Sequence, residues 1–134
     1  MNILLSCLML FLLQDTNALT ITVSGVKDVK GQLCFAVYQD ANGFLEVTQA
    51  VDTKIIPVNK QNLQLEWDNL QHQRVAIAVF QDLNNNKILD KNKIGFPVEP
   101  FGFSNNPKLW FGPPSFQKCS VDITKTPTIH IQLN

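Results

Sequence analysis

Short stretches in which apolar and polar side chains alternate run along most of this chain, and that period of two predicts strands. Leu19-Thr20-Ile21-Thr22-Val23-Ser24 is the first, closed by Gly25. After a turn at Lys30-Gly31, Leu33, Phe35 and Val37 share one face of a second strand, and Cys34, Ala36 and Tyr38 share the other. Asp40-Ala41-Asn42-Gly43 is turn chemistry, because Asn and Gly tolerate positive φ. Residues 44–51 read as either one helical turn or an irregular crossover. Residues 53–58 form a third strand, which Pro57 marks as an edge. Leu63, Leu65 and Trp67 define a fourth. Residues 74–80 are almost continuously apolar, as expected of a central strand covered on both faces. Cys119, Val121 and Ile123 predict a sixth strand, and Ile129, Ile131 and Leu133 a seventh.

Seven short strands without a convincing helix predict an all-β fold. The expectation is a single antiparallel β-sandwich, immunoglobulin-like or prealbumin-like, over residues 19–134. One stretch breaks the pattern. Residues 82–116 hold five of the seven prolines, three of the six glycines and six of the twelve aromatic residues. A long irregular segment with so many large apolar side chains is a functional loop rather than a disordered one.

The amino terminus carries a different signal. Ile3 to Leu13 is an apolar run broken only by Ser6 and Cys7, and Thr16 and Ala18 are small residues spaced for a signal peptidase. Eleven residues are too few to span a bilayer, which takes roughly 20. The expectation is a signal peptide over residues 1–18 and a periplasmic or secreted mature chain with no transmembrane helix. Without Asp15 the eleven acidic residues become ten against eleven basic ones. That balance steers the chain toward neither nucleic acid nor anionic lipid. Two cysteines remain, Cys34 and Cys119. In an oxidising compartment they either pair as a disulfide or pack as small buried hydrophobes.

Candidate chemistry concentrates in the long loop. Asp82, Asn84, Asn86, Ile88 and Asp90 fall at alternate positions, the spacing of a calcium loop in which Ile88 would offer its carbonyl. Lys87 stands where such loops turn on Gly, and Lys93 stands where they carry a bidentate Glu. A further oxygen ligand would have to come from Glu99 or Asp40. So few carboxylates imply weak binding, about 10⁻⁴ to 10⁻³ M. The alternative is an Asn-rich turn whose side chains bond their own backbone. In the second half, Phe103, Trp110 and Phe111 with Ser104, Asn105 and Asn106 form either a ligand or partner groove or a satellite core pinning the loop to the sandwich. No nucleophile elbow, H-E-x-x-H, phosphate loop or dinucleotide fingerprint occurs. His72 and His130 stand alone, and no catalytic residue is assigned.

Val79-Phe80-Gln81-Asp82 with Asn84, Asn86 and Asp90, then Ile94-Gly95-Phe96-Pro97, Glu99, Gly102-Phe103-Ser104-Asn105-Asn106 and Phe111-Gly112-Pro113-Pro114-Ser115-Phe116, resemble domain of unknown function 2141. The resemblance covers nearly all of the chain after residue 18 and implies an exported bacterial β-sandwich. It implies no particular activity. The functional expectation is an exported, non-catalytic binding or structural module with a weakly calcium-stabilised loop. The alternatives are a subunit docking another envelope protein through its aromatic loop, and an enzyme with an unrecognised site.

Overall fold

A computed structural model describes residues 18–134, so nearly all of the expected signal peptide lies outside the described residues. Alternation becomes burial wherever two strands can pair. The strands are β1 (Leu19–Ser24), β2 (Gln32–Tyr38), β3 (Asp52–Pro57), β4 (Leu63–Trp67), β5 (Arg74–Asp82), β6 (Phe101–Phe103), β7 (Val121–Asp122) and β8 (Thr128–Gln132). One sheet has the order β4-β1-β8, and the other has the order β3-β2-β5-β6 with β7 also paired to β5. Leu19, Ile21, Val23, Trp67, Ile129 and Ile131 of the first sheet face Leu33, Phe35, Val37, Val75, Ile77 and Val79 of the second. The all-β sandwich is therefore the fold.

Most pairs are antiparallel, but β1 and β8 run parallel, with Ile21 opposite Ile129 and Val23 opposite Ile131. The sandwich is antiparallel-dominated as expected, with this pair the exception among the described residues. Both strands show the same period of two, and nothing in that period encodes direction. β5 is central as expected, and β3 is an edge strand. Trp67 ties that edge to the other sheet. Its Nε1–H donates to Asp52 Oδ2 at 2.8 Å, and Lys54 Nζ lies 5.0 Å from the ring centroid.

The sixth expected strand is mostly something else. Residues Phe116–Cys119 form a single helical turn, α1, capped by Ser115, whose side chain accepts from the Lys118 N–H. Only Val121 and Asp122 pair, against β5. Cys119 turns to the outer face of the five-stranded sheet while Val121 and Ile123 enter the main core. The alternation that suggested one strand joins two elements facing different layers.

That outer face carries a second cluster. Tyr38, Ala76, Phe116 and Cys119 are buried together there, with Phe44, Leu45 and Phe103 packed against them. Phe44 stands edge-on to Tyr38 at 5.2 Å and to Phe116 at 5.8 Å between ring centroids, a preferred aromatic geometry. Residues 44–51, left open between two readings, contain a 3₁₀ turn at Val47–Gln49 and deliver Phe44 to this cluster.

β6, inside the long loop, was not foreseen. It closes one side of the sandwich, because Phe101 and Asn134 exchange backbone hydrogen bonds of 3.3 and 2.9 Å between the two sheets. Gly102 permits the approach. A Cβ there would stand 2.7 Å from Ile131 Cγ2 and 2.8 Å from the Gln132 carbonyl oxygen. Gly102→Ala should therefore destabilise the fold by about 1–3 kcal/mol, read as a lower midpoint in urea with an unchanged slope.

Candidate functional site

The long loop is built outward from the end of β5. Gln81 and Asp82 are both fully buried there and point to opposite faces. Gln81 organises the β1–β2 connection. Its Nε2 donates to the carbonyls of Lys27, Asp28 and Lys30 at 2.9 to 3.1 Å, and its Oε1 accepts from the Lys27 N–H at 2.7 Å. Sequence reading gave it no role. The available signal was a polar residue continuing an apolar strand.

Asp82 organises the other side. Its Oδ1 accepts from the Asn86 N–H at 3.1 Å, and its Oδ2 accepts from the Lys87 N–H at 2.8 Å and from Gln32 Nε2 at 2.9 Å. Lys87 adopts φ +62°, the left-handed conformation that a glycine would take at this position. For a lysine this costs about 1–2 kcal/mol.

Asn84 Nδ2 donates to Asp90 Oδ2 at 2.7 Å, and Asn86 Nδ2 donates to both Asp90 oxygens at 2.9 and 3.1 Å. The structure thus brings Asn84, Asn86 and Asp90 together. Asp82 belongs to the same turn but aims at backbone. Asn84 Oδ1 shares the Asn86 N–H with Asp82, and Asn86 Oδ1 accepts from the Ile88 N–H at 3.0 Å. Amide donors therefore occupy the interior that the spacing assigned to a cation, and Ile88 takes part through its N–H. Among the described residues, no three His, Cys, Asp or Glu side chains are grouped closely enough to hold a metal.

Of the two proposed extra ligands, Glu99 joins the loop and Asp40 does not. Asp40 Oδ1 accepts from the Asn42 N–H within its own turn. Glu99 is buried, with Oε1 accepting from the Leu83 N–H and Oε2 from the Asp90 N–H, both at 3.0 Å. It clamps the two ends of the Asp/Asn turn.

The groove residues separate into two groups. Ser104 is fully buried: its Oγ accepts from the Ile77 N–H at 2.9 Å and donates to the Cys119 carbonyl. Asn105 Nδ2 donates to the carbonyls of Lys118 and Ser120 at 3.2 and 2.7 Å. Asn106 Nδ2 donates to the His130 carbonyl while its Oδ1 accepts from the Gln132 N–H, both at 2.8 Å. That last pair imitates a neighbouring strand along the free edge of β8. These three polar side chains fasten the loop to β5, α1 and β8, and Phe103 joins the outer cluster. The satellite-core alternative describes this group.

Trp110 and Phe111 are placed differently. Trp110 is 76% exposed and Phe111 is wholly exposed. Two open depressions flank them. One of 530 Å³ is lined by residues including Asn106, Lys108, Trp110 and Gln132, and the other, of 760 Å³, by residues including Lys108, Phe111, Pro114 and Lys118.

Cys34 and Cys119 are free thiols. Both face outward on the five-stranded sheet, but Cys34 lies opposite Phe80, whereas Cys119 is joined through Ser104 to Ile77. Cys119 is buried in the outer cluster, and Cys34 is half-buried on β2. Burial pushes both thiols up to about 11, with Asp82 and Glu99 adding to the effect at Cys34. His130 lies on the outer face of the three-stranded sheet, its Nδ1 2.7 Å from Thr22 Oγ1 and its Nε2 2.8 Å from Ser24 Oγ. The Ser24 hydroxyl also donates to Gln132 Oε1.

Fold and site together define a small all-β domain with one elaborated, internally bonded loop. Residues 21–131 match the family described as an uncharacterized protein conserved in bacteria, DUF2141, and the chain belongs to it. No curated protein and no solved structure matches the chain.

Glu99→Ala should leave two backbone donors without partners and cost about 2–4 kcal/mol, measured by urea denaturation. Glu99→Gln, which restores one acceptor, should lose less.

Proposed function

We propose that the chain is an exported, non-catalytic binding module that engages a protein partner through the tip at Leu109, Trp110 and Phe111. The exposure of Trp110 and Phe111 on a segment tied down at both ends carries this reading. Asn106 fastens one end to β8, and Phe116 buries the other in the outer cluster. A loop already ordered loses little entropy when it binds, and exposed aromatic residues are the usual anchors of an interface. The flanking depressions offer concave surface to a partner, and Lys108 and Lys118 along them favour acidic groups at its rim. The double variant Trp110→Ala/Phe111→Ala should abolish recovery of a partner from bacterial envelope extract while leaving the melting temperature unchanged. A large fall in melting temperature would instead show that the tip is packed.

Calcium is a second reading, supported by the meeting of Asn84, Asn86 and Asp90. Rotating the two amides by half a turn would exchange N–H donors for oxygens around the Asp90 carboxylate, a step that a cation would compensate. At a dissociation constant of about 1 mM, 10 mM calcium would add about 1.4 kcal/mol, or roughly 5 °C of melting temperature. Asp90→Ala should remove that shift. Absence of any shift in the unaltered protein would eliminate the metal.

A further inference from the structure

The opposite end of β6 carries another apolar tip, independent of the partner loop. Residues 90–98 form a tight hairpin. The Val98 N–H donates to the Asp90 carbonyl at 2.9 Å, Lys91 pairs with Pro97, and the Asn92 N–H donates to the Phe96 carbonyl at 2.8 Å. Asn92 Oδ1 accepts from the N–H groups of Ile94 and Phe96 at 3.1 and 3.0 Å, which closes the turn from inside. Gly95 takes φ +85° at the tip with open space around it. Glu99 grips the base through the Asp90 N–H.

This braced hairpin presents its apolar side chains to water. Ile94 is 82% exposed, Phe96 is 65% exposed, and Val98 of the hairpin and Ile88 of the preceding turn are exposed too. None of these four belongs to either hydrophobic cluster. The same segment is basic although the chain is balanced overall. Residues 83–98 carry Lys87, Lys91 and Lys93 against Asp90 alone, and Asp90 is occupied by Asn84 and Asn86.

We propose that this hairpin docks the protein on an anionic phospholipid surface, with Ile94 and Phe96 entering the acyl boundary and Lys91 and Lys93, which flank the tip, lying in the headgroup layer. Apolar tips ringed by lysine have this complementarity, since the rings and aliphatic groups leave water while the ammonium groups stay with phosphate. The shape favours lipid over protein. A projecting knob needs a matching pocket in a folded partner, whereas a bilayer yields to it, and the two depressions beside Trp110 lie away from the hairpin residues.

The test uses the purified chain and sedimentation with vesicles of phosphatidylcholine alone or with about 30% phosphatidylglycerol, an anionic content that gives the surface a negative potential. The expected result is partitioning onto the phosphatidylglycerol vesicles that weakens as salt rises. Ile94→Ser/Phe96→Ser should reduce it to background. Lys91→Gln/Lys93→Gln should reduce it by roughly twenty- to thirty-fold, at about fivefold for each lysine. Val47→Ser, which removes an exposed apolar residue elsewhere, should leave it unchanged. A Phe96→Trp reporter in a Trp110→Phe chain should shift its emission to the blue on these vesicles and be quenched by brominated acyl chains. Failure of the unaltered chain to bind phosphatidylglycerol vesicles at low salt would overturn the proposal. So would binding that survives Ile94→Ser/Phe96→Ser, or an emission of the Phe96→Trp/Trp110→Phe chain that vesicles do not move relative to the Trp110→Phe chain alone. These outcomes do not depend on whether Trp110 engages a partner.

Discussion

Two consecutive polar side chains with no solvent exposure, Gln81 and Asp82, set the terms for one end of this molecule. Burying an amide and a carboxylate is costly unless every polar atom finds a partner. Here the partners are backbone groups of two different loops, joined at Asp82 by the Gln32 side chain. The strand therefore ends in a fixed arrangement, with Gln81 gathering the β1–β2 connection and Asp82 gathering the first turn of the long loop. If either neighbouring loop rearranged, it would strand a buried polar group, so the two are held together at this point.

The same logic repeats along the loop with different residues. Glu99, Asn92, Ser104, Asn105 and Asn106 each bond to backbone that would otherwise lack a partner. Irregular chain needs this, because it has no ladder to satisfy its own N–H and C=O groups. The outcome is a long connection braced at many points whose few unbraced side chains are large and apolar. Those are the groups at Ile94 and Phe96 and at Trp110 and Phe111. Rigid support beneath exposed apolar tips is what a docking surface requires, because the ordering cost is met during folding.

Overall charge concealed part of this. A chain with equal numbers of acidic and basic residues has no net field to steer it. Yet two acidic groups next to the hairpin in sequence, Asp82 and Glu99, are buried and bonded to backbone, which leaves Lys91 and Lys93 as the exposed charge of the hairpin. Composition counts charges, and folding decides which of them face outward.

The strands were legible because their cause is local. A period of two in Leu19–Ser24 or Leu63–Trp67 requires only that one face be covered, whatever covers it. The family signature and the spacing of Asp82, Asn84, Asn86 and Asp90 were legible for the same reason, since each is a property of one short stretch. The parallel pairing of β1 with β8, the strand hidden at Phe101–Phe103 and the burial of Cys119 in the outer cluster depend on distant segments meeting, and periodicity does not record partners. The contrast is sharpest in the loop itself. Ser104, Asn105, Asn106, Phe103 and Trp110 read together as either a groove or a pinned satellite core; the three polar residues and Phe103 fasten the loop, while Trp110 stands apart from them. A polar residue's role is settled by which backbone donors and acceptors come within about three ångströms of it, and only tertiary packing decides that.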